Sequence, residues 1–115
     1  MADPEDMLED QVRALAVSIG FDDCRITDLD PDWAAAGRLE AFIEAGYHGS
    51  MDWMETTRAR RAHPQAMWEG AKSAIVVGLN YGPDHNPLET LAYKEIGNIS
   101  VYARGKDYHD VLKKR

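Results

Sequence analysis

The sequence predicts an α/β or α+β fold, a small sheet covered by helices. Three observations predict it. Apolar residues recur at helical spacing behind two Asp-Pro starts, Asp3-Pro4 and Asp30-Pro31. The run SAIVVGLNY, residues 73–81, is almost continuously apolar and β-branched at Ile75, Val76 and Val77. Helical and extended segments alternate along the chain, as they do where helices pack on a sheet.

Each element has a local cause. Asp3 suits an N-cap and Pro4 the first helical position. Glu5, Asp6, Glu9 and Asp10 complement the positive end of the helix dipole. Met7, Leu8, Val12, Leu15, Ala16 and Ile19 make one apolar face, and Gly20 stops the helix. FDDCRITD, residues 21–28, alternates polar and apolar and predicts a short strand. A second helix opens at Asp30-Pro31, has Trp33, Ala36, Leu39, Phe42 and Ile43 as its apolar face, and ends near Gly46.

Residues 51–60 predict a short helix capped by Ser50, and Pro64 starts another through Trp68 and Glu69, closed by Gly70. SAIVVGLNY predicts a central strand buried on both faces. Residues 82–95, with Gly, two Pro and Asn, predict a long surface loop. NISVYARG, residues 98–105, predicts a second strand, and KDYHDVLKKR then begins a helix with Asp107 or Lys106 near its start. Val111 and Leu112 have only begun an apolar face when Arg115 is reached. A helix that short is marginal alone, so the chain is expected to be the N-terminal portion of a larger protein.

Composition narrows the classes. At 115 residues, with 44% hydrophobic and 29% charged residues, the chain fits one ordinary globular domain rather than a disordered segment. No apolar run is long enough to cross a bilayer, and MADPEDMLED has neither the basic start nor the apolar block of a signal peptide. A cytoplasmic protein with no membrane partner is the expectation. Cys24 is the only cysteine, which excludes an internal disulfide and predicts a small buried residue beside a strand. The net charge of -7 is uneven: residues 1–40 hold eleven acids against three bases, residues 96–115 two acids against five bases. The basic end could attract polyanions, although solvated helix faces explain it equally simply.

Generic catalytic motifs are absent: no phosphate-binding glycine loop, zinc-binding His-Glu-x-x-His or nucleophile elbow occurs. Met51, Met54 and Met67 with Trp53 and Trp68 are expected to fill core gaps, or alternatively to line a pocket for a planar ligand. RARRAHP sets Arg58, Arg60 and Arg61 before a proline-started helix, where a rigid guanidinium fork suits an anion and a solvated loop is the plain alternative. YARGKDYH sets Gly105 between an extended segment and a helix start, a place where free N–H groups can hold a ligand. Asp107, Tyr108 and His109 bring a carboxylate, a phenol and an imidazole there, and Asp107 also suits a simple helix cap.

Five segments carry a resemblance: IGFDDCRITD (19–28), GYHGSMDWM (46–54), RARRAHP (58–64), WEGAKSAIVVGLNY (68–81) and SVYARGKDYHDVLKKR (100–115). In order and spacing they resemble the epoxyqueuosine reductases, over nearly the whole chain, and YARGKDYHDVLKKR is the most specific part. The resemblance implies an oxidoreductase of tRNA processing that reduces epoxyqueuosine to queuosine in the anticodon loop, using cobalamin and two 4Fe-4S clusters. It makes residues 1–115 that family's N-terminal domain of unknown-function type (DUF1730-like), forming part of a cobalamin pocket. Arg61 matches a cobalamin-contacting arginine and Ser100 another contacting position; Lys106, Asp107, Tyr108 and His109 line the same site by analogy. Corrin amides and a nucleotide-loop phosphate want hydrogen-bond donors, which Arg61, Ser100, Lys106 and His109 can provide.

The same resemblance assigns no catalytic residue to this chain. The proton-donating aspartate and the cluster cysteines are expected beyond Arg115, and Cys24 matches none of them. The clusters therefore belong to the missing C-terminal part, and residues 1–115 alone are expected to be inactive and to bind tRNA weakly or not at all. Two alternatives stay open: a stand-alone corrinoid- or anion-binding module, and a related corrinoid reductase with another substrate.

Overall fold

Asp3 accepts a hydrogen bond from the Glu5 N–H at 3.1 Å and begins the first helix where its side chain predicts. In this computed structural model, which describes Met1, residues 3–30 and residues 32–115, ten elements follow in order. They are α1 (Pro4–Ser18), β1 (Asp23–Asp28), α2 (Ala35–Glu44), α3 (Asp52–Thr56), α4 (Arg58–Arg61), α5 (Pro64–Met67), β2 (Ser73–Gly78), 3-10 turns at Glu89–Ala92 and Val101–Ala103, and α6 (Tyr108–Lys113). β1 and β2 form a two-stranded antiparallel sheet. The predicted class, a small α/β arrangement, is the one observed.

The chain folds as two compact units, the first Met1–Arg25 with Val76–Arg115, the second Ile26–Ile75. In the first unit the Asp22 N–H donates to the Gly78 carbonyl at 2.9 Å, and Ala16 and Cys24 are buried. Cys24 thus takes the structural place expected of it. Gly20, at φ +106°, makes the turn that ends α1, a backbone angle that side chains disfavour. In the second unit the Leu29 N–H donates to the Lys72 carbonyl at 3.1 Å, and Leu29, Ile43 and Ala71 are buried.

Several expectations are corrected. SAIVVGLNY does form a strand, but not a central one: β1 is its only strand neighbour among the described residues, and Ile75 and Val76 are 58% and 57% exposed. NISVYARG forms no strand. Its backbone instead curls at Val101–Ala103, with the Ala103 N–H donating to Ser100 O at 3.0 Å. The second helix starts at Ala35 rather than at Asp30-Pro31, of which Pro31 lies outside the described residues. Asp30 serves a turn instead, accepting from the Asp32 N–H at 2.9 Å. The helix predicted over 51–60 is broken at Thr57 into α3 and α4, and Ser50 does not cap it. Met51, Trp53, Met67 and Trp68 are exposed rather than core filler. On α1 the apolar face is covered only along Val12 and Ala16, while Met7, Leu8 and Leu15 stay exposed.

The second unit is held by a clasp centred on His63. Its Nδ1 accepts from the Gln65 N–H at 3.1 Å, which caps α5. Its Nε2 lies 2.8 Å from the Asp30 carbonyl, so the ring is the Nε2–H tautomer, with both nitrogens occupied. Trp33 meets the same ring edge-on at 5.0 Å and donates its indole N–H to the Ala62 carbonyl at 2.7 Å. These bonds span about thirty residues of sequence and fix the end of α4. Replacing His63 by Ala removes a cap and a long-range bond together. Thermal denaturation should show a loss of about 1–2 kcal/mol, and His63→Asn, which can cap but not reach Asp30, should recover part of it.

Candidate functional site

Within the first unit a cavity of about 710 Å³ opens beside the end of β2. Val77 supplies apolar lining from the strand and Leu79 from just past its end, and Val111 and Leu112 supply more from α6. The phenols of Tyr81, Tyr102 and Tyr108 and the cations of Arg104, Lys106 and Arg115 complete it. An apolar floor with a few polar groups at its rim suits a large ligand of mixed polarity.

The local sequence explains how the lining is brought together. Asp22 Oδ2 accepts from the Asn80 N–H at 2.7 Å, and Asn80 Oδ1 accepts in turn from the Gly82 N–H at 2.8 Å. This Asx turn redirects the chain as it leaves β2 and sets Tyr81 at the cavity. On the opposite wall Arg104 ties its own loop, donating Nε–H to Ile99 O at 2.9 Å and Nη2–H to Asn98 Oδ1 at 2.8 Å. Gly105 then turns at φ +75°, and Asp107 caps α6. Because the Arg104 guanidinium is committed to its loop, Lys106, with no ion pair among the described residues, is the freer cation for a ligand.

Asp107 has a specific partner. Its Oδ1 accepts from the His109 N–H at 2.9 Å and from His109 Nδ1 at 2.8 Å. The backbone bond foremost, then the ring bond, holds the Asp107 carboxyl below the ordinary carboxylate range. With Nδ1–H directed at Asp107, the second ring nitrogen of His109, Nε2, makes no hydrogen bond among the described residues. Tyr108 stacks on the His109 ring at 4.1 Å and lies 6.4 Å from Tyr102.

Of the six residues singled out by resemblance, Lys106 and Tyr108 line the cavity. Asp107 and His109 form the cap at the start of α6 beside them, and Ser100 is an exposed residue before the 3-10 turn, its hydroxyl making no capping bond. Arg61 belongs to the second unit. There its guanidinium lies 4.5 Å over the Trp53 ring and donates Nε–H to Thr57 Oγ1 at 2.8 Å. Arg58, by contrast, is paired with Glu40 at 3.2 Å. Sequence reasoning passed over Arg104 and Tyr102 as individuals. The available signal was two tyrosines flanking Arg104-Gly105, a turn that folds both rings toward one place. Among the described residues no cluster of three His, Cys, Asp or Glu could hold a metal ion, and no helix is long and apolar enough to cross a membrane.

Comparison with known proteins bears on the same segment. Residues 61–115 match a family model described as "Epoxyqueuosine reductase QueG, DUF1730". Residues 61–115 therefore belong to the epoxyqueuosine reductase family. A protein of Leadbetterella byssophila named epoxyqueuosine reductase is 40% identical over 90% of this chain, and one of Escherichia coli with that name is 34% identical over all of it. The Yersinia pestis protein of the same name is 36% identical, again over the whole chain. The chain spans about a third of the length of these curated relatives, 32%, 31% and 28% respectively. No solved structure matches it. All six residues singled out above fall within the epoxyqueuosine reductase match, whereas Trp53 and Thr57 lie just before it.

The cap on α6 gives a pH-dependent signature. A carboxyl whose folded pKa is depressed stabilises the fold above its unfolded pKa and loses that contribution as pH falls through the folded value. The protection of the His109 amide relative to its intrinsic exchange rate should therefore fall on acidification below pH ~4, the ordinary aspartate range. Asp107→Asn, which caps without a charge, should retain protection at neutral pH and lose the acid dependence; Asp107→Ala should lose the protection at every pH.

Proposed function

We propose that the full-length protein is a cytoplasmic epoxyqueuosine reductase, reducing epoxyqueuosine to queuosine in tRNA with cobalamin as cofactor and 4Fe-4S clusters held beyond residues 1–115. These residues are proposed to form its N-terminal domain and part of its cobalamin pocket. The observation that carries the reading is the position of Lys106 and Tyr108. Both fall in the family match and both line the cavity beside β2.

The donor set fits the cofactor. A corrin has apolar faces and a rim of carboxamides; Val77, Leu79, Val111 and Leu112 offer apolar surface, and Lys106 with the Tyr102 and Tyr108 phenols offers hydrogen bonds. Cobalamin, when bound, supplies the cobalt-centred reductive chemistry that no side chain provides. The chain's own residues bind and orient. Lys106 would hold the corrin rim as a hydrogen-bond donor and Tyr108 with the apolar wall would exclude water, while Asp107 holds the first turn of α6 so that Tyr108 and His109 keep their places. Ser100 adds a hydroxyl donor. Arg61 is assigned to the cofactor by the resemblance alone. The reacting acid and the electron-delivering clusters lie outside these residues in this reading.

Supplying the purified full-length protein with cobalamin, a chemical reductant and tRNA carrying epoxyqueuosine should yield queuosine on nucleoside analysis. No conversion, with the cofactor retained, would overturn the substrate; no retention of cobalamin would overturn the pocket. Lys106→Ala should weaken cobalamin binding about tenfold, the effect of losing one charged hydrogen bond.

A further inference from the structure

We infer that Trp53 and Thr57 are positioning residues that hold Arg61 as a preformed fork for a phosphate oxyanion, an inference that rests on the assignment of Arg61 to the cofactor. The three residues stand four apart, at 53, 57 and 61, and so follow one face across the junction of α3 and α4. Thr57 sits at the break between the two helices, with φ -107° and ψ 10°. Its hydroxyl donates to the Trp53 carbonyl, which leaves the Oγ1 lone pairs to accept from Arg61 Nε–H at 2.8 Å. The Arg61 backbone N–H donates to the Thr57 carbonyl as well, at 3.1 Å. On one face of the guanidinium the Trp53 ring lies 4.5 Å from Cζ.

What this arrangement leaves free decides its use. Nε is taken and one face is covered, while Nη1 and Nη2 have no protein acceptor among the described residues. The outer edge of the guanidinium is the one that grips a phosphate with two parallel N–H bonds. Both restraints are neutral, a hydroxyl and an indole, so they order the side chain without cancelling its charge. Arg58 shows the contrast, its guanidinium being paired with the Glu40 carboxylate. Ordering in advance spares the rotamer entropy that a mobile surface arginine loses on binding. The cofactor proposed above carries a single phosphodiester and amides in place of carboxylates, so its phosphate is the oxyanion that this fork takes.

Two readouts on the full-length protein separate the positioning claim from the cofactor assignment. Without ligand, NMR relaxation of the Arg61 Nε–H should show a rigid group in the wild type and in Thr57→Ser. In Thr57→Val and Trp53→Leu the order parameter should fall below about 0.6. An Arg61 as mobile in the wild type as exposed Arg60, or unchanged in Thr57→Val, would overturn the positioning role whatever cobalamin does. In cobalamin titrations Arg61→Ala should bind at least about tenfold more weakly. Thr57→Val should lose roughly three- to tenfold and Trp53→Leu roughly two- to fivefold, with Thr57→Ser restoring wild-type affinity. Affinity unchanged in Arg61→Ala rejects the cofactor assignment and leaves the relaxation result to decide positioning. A loss in Arg61→Ala without one in Thr57→Val rejects positioning. Cobinamide, which lacks the phosphate, should bind wild type and Arg61→Ala alike; an equal loss there rejects phosphate as the group held.

Discussion

β1 and β2 lie some fifty residues apart in sequence, yet each is the other's strand partner, and among the described residues neither has a second. Their pairing closes the helical segment that lies between them. At one end of the ladder Leu29 meets Lys72; at the other Asp22 meets Gly78. Loop closure of this length has an entropic cost, which grows only slowly with the number of residues enclosed. The Asp22 side chain then extends the pairing past the strand by accepting from Asn80, and this contact turns the chain toward the cavity. Val77 and Leu79 reach the cavity wall because β2 is held in that register.

The two units use different devices to hold their functional groups. In the first, the backbone is bent by short polar motifs: the Asx turn at Asn80, the Arg104 tie across Asn98 and Ile99, and the Asp107 cap. None needs a large core, and few side chains in this unit are buried. In the second, aromatic and imidazole groups carry the load, with His63 joined to Asp30 and Gln65 and Trp33 joined to Ala62. Rigid rings lose little conformational entropy when fixed, so a few of them can order a run of four- and five-residue helices that would not persist alone. Arg61 inherits that order from the short helices on which it sits.

Much of the architecture was legible residue by residue. Asp3-Pro4, Gly20, the alternation of FDDCRITD, the apolar run of 73–78 and the Asp107 cap are local signals, and each produced the element expected of it. The errors came where local preference was outvoted. NISVYARG has the composition of a strand, but Arg104 bonds back to Asn98 and Ile99 and curls the segment instead. SAIVVGLNY reads as a central strand because apolar runs fit burial on both faces, and burial depends on neighbours that the run itself cannot specify. The arginine cluster was visible as a cluster. That Glu40 claims Arg58 while Thr57 and Trp53 restrain Arg61 was not.

By itself, the sequence determined the element types, the helix caps, the turns at the glycines and the family to which residues 61–115 belong, since these depend on neighbours within a few positions or on motif identity. Only the tertiary structure decided which side chains meet. It brought Tyr81, Tyr102 and Tyr108 around one cavity, committed Arg104 to its loop, and left Lys106 and the outer edge of Arg61 available. The reason is physical: a cation's use is set by whether an acceptor already holds it. That depends on distances of about 3 Å between residues whose separation along the chain carries no such information.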